Sequence, residues 1–283
     1  MNDVGYFAPA DIGEALKLLA DYGGKATVLA GGTDLVPAIN YYELKPENII
    51  YIGNLGLDGI KEEKGKLIFG AAATAASIAA SDIVAKNAPT LAEAASRSGS
   101  VATRTVATIG GNVANASPAA DLACALMGLN AEIVLASANG SRSVPIADFF
   151  TGPGETVSKP DELLQEIHVP VADGNTAFLK LGRRKALTIS VANTAVYLKM
   201  DGKNCSEARI ALGAMAPTLL RCSKAEEMIK GKSLDMTAIG ECAAQAVDES
   251  APIDDQRGTA WYRMRAGQAV VKRALAQAAG ISE

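Results

Sequence analysis

Two glycine pairs constrain this chain more than any other feature: Ala30-Gly31-Gly32-Thr33-Asp34 and Thr108-Ile109-Gly110-Gly111-Asn112. Each follows an apolar stretch, and each is read as a turn that exposes several backbone N–H groups. Glycine gives access to positive φ and leaves room for close backbone approach, so two such turns suit a diphosphate gripped from two sides. That is the physical case for a dinucleotide site. The commonest sequence solutions to that problem are absent, since neither G-x-G-x-x-G nor G-x-x-x-x-G-K-[ST] occurs. Gly231-Lys232-Ser233 lacks the upstream glycine and reads as a plain turn.

Composition narrows the field by exclusion. The 283 residues are 49% hydrophobic, ample for real cores. Net charge is −4 and pI about 5.3, with Lys and Arg scattered, so there is no footprint for nucleic acid. A phosphate ligand would then rely on backbone amides and helix N-termini for neutralisation. Cys124, Cys205, Cys222 and Cys242 are far apart and His168 is the only histidine, which argues against zinc or an iron–sulfur cluster held within the chain. The opening Met-Asn-Asp-Val-Gly-Tyr has no basic region followed by an apolar one, and no stretch suits a membrane span. A cytoplasmic protein is expected.

Periodicity predicts a helix opened by Asp11 as cap with Glu14 at the capping-box position, burying Ile12, Ala15, Leu16 and Leu19. A strand over Ala26–Ala30 runs into the first glycine pair. Thr33 or Asp34 is then expected to cap a helix through Leu35, Val36, Ile39 and Tyr42. Strands are predicted at 48–52, 66–70, 131–135 and 162–169, with helices at 74–80, 89–98 and 118–127. The best boundary is Ala172-Asp173-Gly174-Asn175. Beyond it, strands at 176–181, 190–200 and 208–214 precede helices at 224–230, 236–248 and 257–278, an α+β order.

These strings carry a resemblance. Ala30–Asp34 (AGGTD), Thr108–Asn112 (TIGGN), Ala116–Asp121 (ASPAAD) and Phe178–Arg184 (FLKLGRR) resemble the FAD-binding medium subunit of the molybdenum hydroxylases, the family of xanthine dehydrogenase and carbon monoxide dehydrogenase. Ala208–Ala214, Pro217–Arg221 and Tyr262-Arg263 are similar to its C-terminal part. The resemblance implies an α+β chain: a two-subdomain FAD-binding fold of the vanillyl-alcohol-oxidase (PCMH) type at 1–55 and 56–173, then a C-terminal domain at 174–283 with a small antiparallel sheet and helices.

It also implies roles. Leu29, Ala30, Gly31, Gly32, Thr33 and Asp34 would wrap the FAD pyrophosphate. Thr108, Gly110, Gly111, Asn112 and Ala114 would close from the other side, and Asp121, with Ser117 near it, would meet the ribose or adenosine end. Lys180 is expected near the isoalloxazine and Ile167 beside the adenine or ring system. From the residues alone, Asp121 reads as an N-terminal helix charge and Arg183-Arg184-Lys185 as a solvated turn, although the resemblance implies that this arginine run lies close to the flavin and the partner interface. His168 is expected to be inert.

The implied complex is a dimer of heterotrimers. A large subunit carries molybdopterin and oxidises the substrate, and a small one carries two [2Fe–2S] clusters. This chain's FAD would pass electrons to NAD or another acceptor. The alternative is a stand-alone FAD-dependent oxidase or dehydrogenase of the vanillyl-alcohol-oxidase fold. One departure from the family pattern stands out: where relatives read I-R-N-x-G-T-I-G-G-N, Arg104 is followed here by Thr105, Val106 and Ala107. The extra cysteine-rich cluster loop of some relatives is excluded by the cysteine spacing.

Overall fold

Parallel pairing organises the N-terminal segment of the computed structural model, which describes residues 4–282. Strands β1 (Gly5–Phe7), β2 (Ala26–Leu29) and β3 (Asn48–Tyr51) form a sheet in the order β1-β3-β2, linked by helices α1 (Ile12–Tyr22) and α2 (Leu35–Asn40). The predicted start of α1 holds: Asp11 Oδ1 accepts from Glu14 N at 2.9 Å. Glu14 reaches back to Ala10 N at 2.8 Å, one residue beyond the usual capping-box partner. Ala15 and Leu19 are buried, with Ile12 and Leu16 packed beside Ile50 and Ile52.

Helix α2 departs from expectation at both ends. Neither Thr33 nor Asp34 caps it with a side chain, because Asp34 instead accepts from Asn115 Nδ2 at 3.1 Å. It stops at Asn40, short of Tyr42, which takes φ 59° as the chain turns towards β3.

A five-stranded antiparallel sheet follows, in the order β4-β5-β10-β6-β7. Its strands are β4 (Ile60–Glu63), β5 (Lys66–Gly70), β6 (Glu132–Ser137), β7 (Gly140–Pro145) and β10 (Leu163–Pro170). A small hairpin, β8 (Phe150–Gly152) with β9 (Glu155–Thr156), precedes β10. Six helices lie between β5 and β6: α3 (Ala75–Ala79), α4 (Asp82–Asn87), α5 (Pro89–Arg97), α6 (Val101–Arg104), α7 (Ile109–Ala114) and α8 (Asp121–Gly128). They bury Ile78, Leu91, Ile109 and Leu126 against Phe69, Ile133 and Ile167 in one core.

The third sheet is also antiparallel, β11 (Asn175–Gly182), β12 (Ser190–Asp201), β13 (Asn204–Gly213) and β14 (Leu220–Arg221), in chain order. Helices α9 (Ser223–Ile229), α10 (Met236–Asp248) and α11 (Ala260–Ala279) share a second core with β12 and β13, which takes in Cys205, Cys222 and Cys242. Helix α11 begins three residues later than predicted. Asp255 draws Arg257 and Arg263 into a turn, and Thr259 then caps the helix by accepting from Tyr262 N at 3.2 Å. Every residue of α8 is buried. A Cβ on Gly128 would lie 2.9 Å from Ala195 Cβ of β12, so glycine lets this helix touch the third sheet. The architecture is α+β, as expected. Among the described residues, no helix is long and apolar enough to cross a membrane.

Candidate functional site

Strand β2 delivers the chain into the first glycine pair, and the two glycines there do different work. Gly32 takes φ 70°, a left-handed turn that glycine adopts without strain. Gly31 is needed for close approach: a Cβ there would sit 1.8 Å from the Val106 carbonyl oxygen. The first loop therefore rests directly on the segment preceding the second pair. Among the described residues, the N–H groups of Gly31, Gly32, Thr33 and Asp34 donate to no protein acceptor. A run of backbone N–H groups of this kind is an anion-binding surface.

The second pair is not a turn. Thr108 caps α7, accepting from Gly111 N at 3.0 Å, and the two glycines occupy the first helical turn. Their amides are already used: Ile109 N donates to Ala73 O and Gly110 N to Ala71 O, both at 2.9 Å, and Asn112 N donates to Thr108 O at 2.9 Å. A Cβ on Gly110 would lie 2.6 Å from Ala71 O. This corrects the sequence expectation of two amide-presenting turns. Tertiary packing against the Gly70–Ala73 strand end, not ligand clearance, demands glycine at 110.

A cleft of about 1010 Å³ opens between these segments. Its size matches the upper end of cofactor sites, roughly 300–1,000 Å³. Ala30 to Asp34 form one wall, and Thr108, Gly110, Gly111, Asn112, Ala114, Ser117 and Asp121 another. The walls are tied together by the Asn115–Asp34 bond, and Asn112 Oδ1 accepts from Ala123 N at 3.1 Å to fix α7 on α8. A third wall comes from Arg184, Leu187, Thr188 and Ile189 between β11 and β12, of which the sequence pointed only to the Arg183-Arg184-Lys185 run.

Leu29, Ile167 and Lys180 do not line the cleft. Leu29 ends β2 with its carbonyl accepting from Ile52 N at 2.9 Å. Alternation along β10 turns Ile167 into the core, fully buried between β5 and β6. Lys180 lies behind the wall, its side chain 5% exposed, with Nζ 2.5 Å from Asp121 Oδ2. Ser190 Oγ and Asn193 Nδ2 donate to Asp121 Oδ1, each at 2.7 Å. These two partners were also missed. The available signal was polar Ser190, Asn193 and Thr194 within the buried stretch 190–198 of β12. His168 pairs with Glu166 Oε2 at 2.8 Å on β10, outside the cleft. The departures at Thr105 to Ala107 fall on the Gly31 contact itself, which is made by the Val106 carbonyl and Ala107 Cα.

The donor set fits a dinucleotide and not a metal. Among the described residues, no cluster of His, Cys, Asp or Glu could hold an ion. Free amides along one wall suit a diphosphate, and hydroxyls of Thr33 and Ser117 stand along the same cleft.

Known proteins give the same picture. The family described as "FAD binding domain in molybdopterin dehydrogenase" matches residues 2–172, and "CO dehydrogenase flavoprotein C-terminal domain" matches 177–278. The carbon monoxide dehydrogenase medium chain of Hydrogenophaga pseudoflava is 36% identical over 95% of both chains. The xanthine dehydrogenase FAD-binding subunit of Escherichia coli O157:H7 is 32% identical, over 96% of this chain and 95% of that one. The solved carbon monoxide dehydrogenase from Hydrogenophaga pseudoflava superposes with a TM-score of 0.94 at 36% identity, covering 97% of this chain and 96% of that one. Family models, relatives and fold that match along nearly the whole length place this chain in the family of FAD-binding medium subunits of the molybdenum hydroxylases.

Proposed function

We propose that the cleft holds FAD and that the chain relays electrons, receiving them from [2Fe–2S] clusters on a small partner subunit and passing them to NAD or another acceptor. The observation that carries this reading is the unpartnered N–H run of Gly31 to Asp34 along the cleft wall. Bound there, FAD would supply the redox chemistry, as a carrier that exchanges either single electrons or a hydride.

The chain's own residues bind, orient and exclude. The amides of Gly31 to Asp34 take the diphosphate without a basic side chain in the loop, which suits a protein of net charge −4. Thr108, Gly110, Gly111 and Asn112 serve as a shaped wall, since their helix has spent its first amides on Ala71, Ala73 and Thr108. Asp121 and Ser117 face a sugar or adenosine hydroxyl. Lys180 acts through Asp121 from behind the wall, in place of direct contact with the ring. Substrate oxidation belongs to a large molybdopterin subunit, in a cytoplasmic dimer of heterotrimers. The same reading divides the chain into 1–55, 56–173 and 174–283, which is supported by one principal sheet in each segment.

The test is FAD content of the purified full chain. Ala114 is exposed on the cleft wall, so Ala114→Trp fills the cleft without displacing a buried neighbour. That variant should keep the melting temperature of the cofactor-free chain and lose the flavin absorbance. Full retention of FAD would refute the assignment. Flavin reduction by an organic substrate in the absence of any partner chain would favour a stand-alone oxidase instead.

A further inference from the structure

Asp121 meets the cleft with a carboxylate already committed to the protein. Lys180 Nζ donates to Oδ2 at 2.5 Å, while Ser190 Oγ and Asn193 Nδ2 both donate to Oδ1 at 2.7 Å. Two donors saturate Oδ1, and the one on Oδ2 leaves a single acceptor site open. Ser190 and Asn193 are fully buried on β12 and line no part of the cleft. Lys180 is itself steadied by the Arg97 carbonyl oxygen, 3.2 Å from Nζ.

The orientation of Asn193 is informative. Its Nδ2 also lies 3.2 Å from Ser190 Oγ, whereas its Oδ1 is buried with no hydrogen-bond partner among the described residues. An orphaned buried oxygen is costly. Reversing the amide would be worse, because that oxygen would then face the Asp121 carboxylate. The fold thus accepts an unpaired acceptor in order to keep a donor on Asp121.

We propose that Ser190 and Asn193 are positioning residues for the cofactor: they turn Asp121 so that one lone pair of Oδ2, the oxygen shared with Lys180, is what the cleft presents to a hydroxyl or N–H donor of FAD. This rests on the reading of the cleft as the FAD site. It makes the third sheet, which is far along the chain from both glycine pairs, a determinant of cofactor geometry. The charged and titratable groups beside Asp121 are Lys180 on β11 and the Cys124 thiol on α8, and the cleft it lines also carries Asp34, Glu162 and Arg184.

The experiment uses the purified full chain, with FAD affinity and the visible spectrum of the bound flavin followed from mildly acid to mildly alkaline pH. Ser190→Ala frees a lone pair on Oδ1 and should weaken FAD binding about tenfold while leaving the flavin spectrum, set at the far end of the cofactor, unchanged. Asn193→Asp keeps the shape of the side chain. At acid pH its protonated carboxyl replaces the Nδ2 donor and affinity stays near that of the unaltered chain. At alkaline pH two carboxylates face each other, and affinity falls. Val196→Ala, in the second core on the same strand, is the control for lost stability and should leave the spectrum and the pH profile alone. The inference is overturned if Ser190→Ala and Asn193→Asp keep the unaltered affinity and pH profile, or if Val196→Ala reproduces their changes. An unaltered chain that binds no FAD would overturn the reading of the cleft itself.

Discussion

Substituting Gly31 by alanine tests how the cleft is assembled. The added Cβ would lie 1.8 Å from the Val106 carbonyl oxygen and 2.6 Å from its carbon. An ordinary C···O contact is about 3.3 Å, so the two segments must part by about 1.5 Å. Both sides of the clash are backbone, and no rotamer change relieves it. Overpacking of this kind costs about 1–3 kcal/mol. At roughly 2–4 °C per kcal/mol, the cofactor-free chain should melt about 2–12 °C lower. A displacement of that size also carries the amides of residues 31–34 away from a bound diphosphate. Losing one charge-assisted hydrogen bond weakens binding at least about tenfold. The assay pairs thermal unfolding of the FAD-free chain with fluorescence titration of FAD. Gly24→Ala is the control, since a Cβ there meets nothing within 4 Å. If Gly31→Ala matches Gly24→Ala in both measurements, the loop contact does not hold the cleft, and the reasoning fails.

Two further predictions concern titration. Lys199 and then Tyr197, both donating to Asp173, lower its pKa from 3.8 to about 2. Its contribution to stability is therefore present above about pH 4 and is lost as pH falls through about 2, a small effect for an exposed pair. Asp173→Asn should flatten that acid limb in pH-dependent melts, and an unchanged limb would show that the pair contributes nothing. Burial pushes up the thiols of Cys124, Cys205, Cys222 and Cys242, Cys242 to about 12. The native chain should resist a thiol reagent at mildly alkaline pH and react at all four cysteines once denatured; rapid labelling of the folded chain would contradict this.

Where local chemistry decides an element, the sequence was a sufficient guide. Helix α10 spans Met236–Asp248 as predicted, because Asp235 caps it by accepting from Thr237 N and Ala238 N and its apolar spacing has no competitor. Helix α1 follows from Asp11 and Glu14 for the same reason. Where packing decides, the local signal misled. Gly110-Gly111 looks like a turn, yet Thr108 caps the first turn of α7 there, and the glycine at 110 answers to Ala71, which leaves no room for a Cβ. Apolar spacing carried α2 on to Tyr42, whereas the chain reverses after Asn40 to reach β3. The motif strings located most of the cleft wall, since each forms a contiguous stretch of backbone. Lys180 and Ile167 were assigned by family likeness, and only strand alternation and a buried ion pair fix where their side chains go. Ser190 and Asn193 act on a residue some seventy positions away, a distance across which periodicity carries no information.

The direct seating of Gly31 on Val106 has a consequence for protein engineering. The two stretches behave as a matched pair of mating parts. Transplanting the AGGTD loop into another scaffold would carry no binding ability unless the stretch around Val106 travelled with it. Chimaeras made within this family should accordingly tolerate crossover points outside residues 30–107 and fail when a junction separates the two.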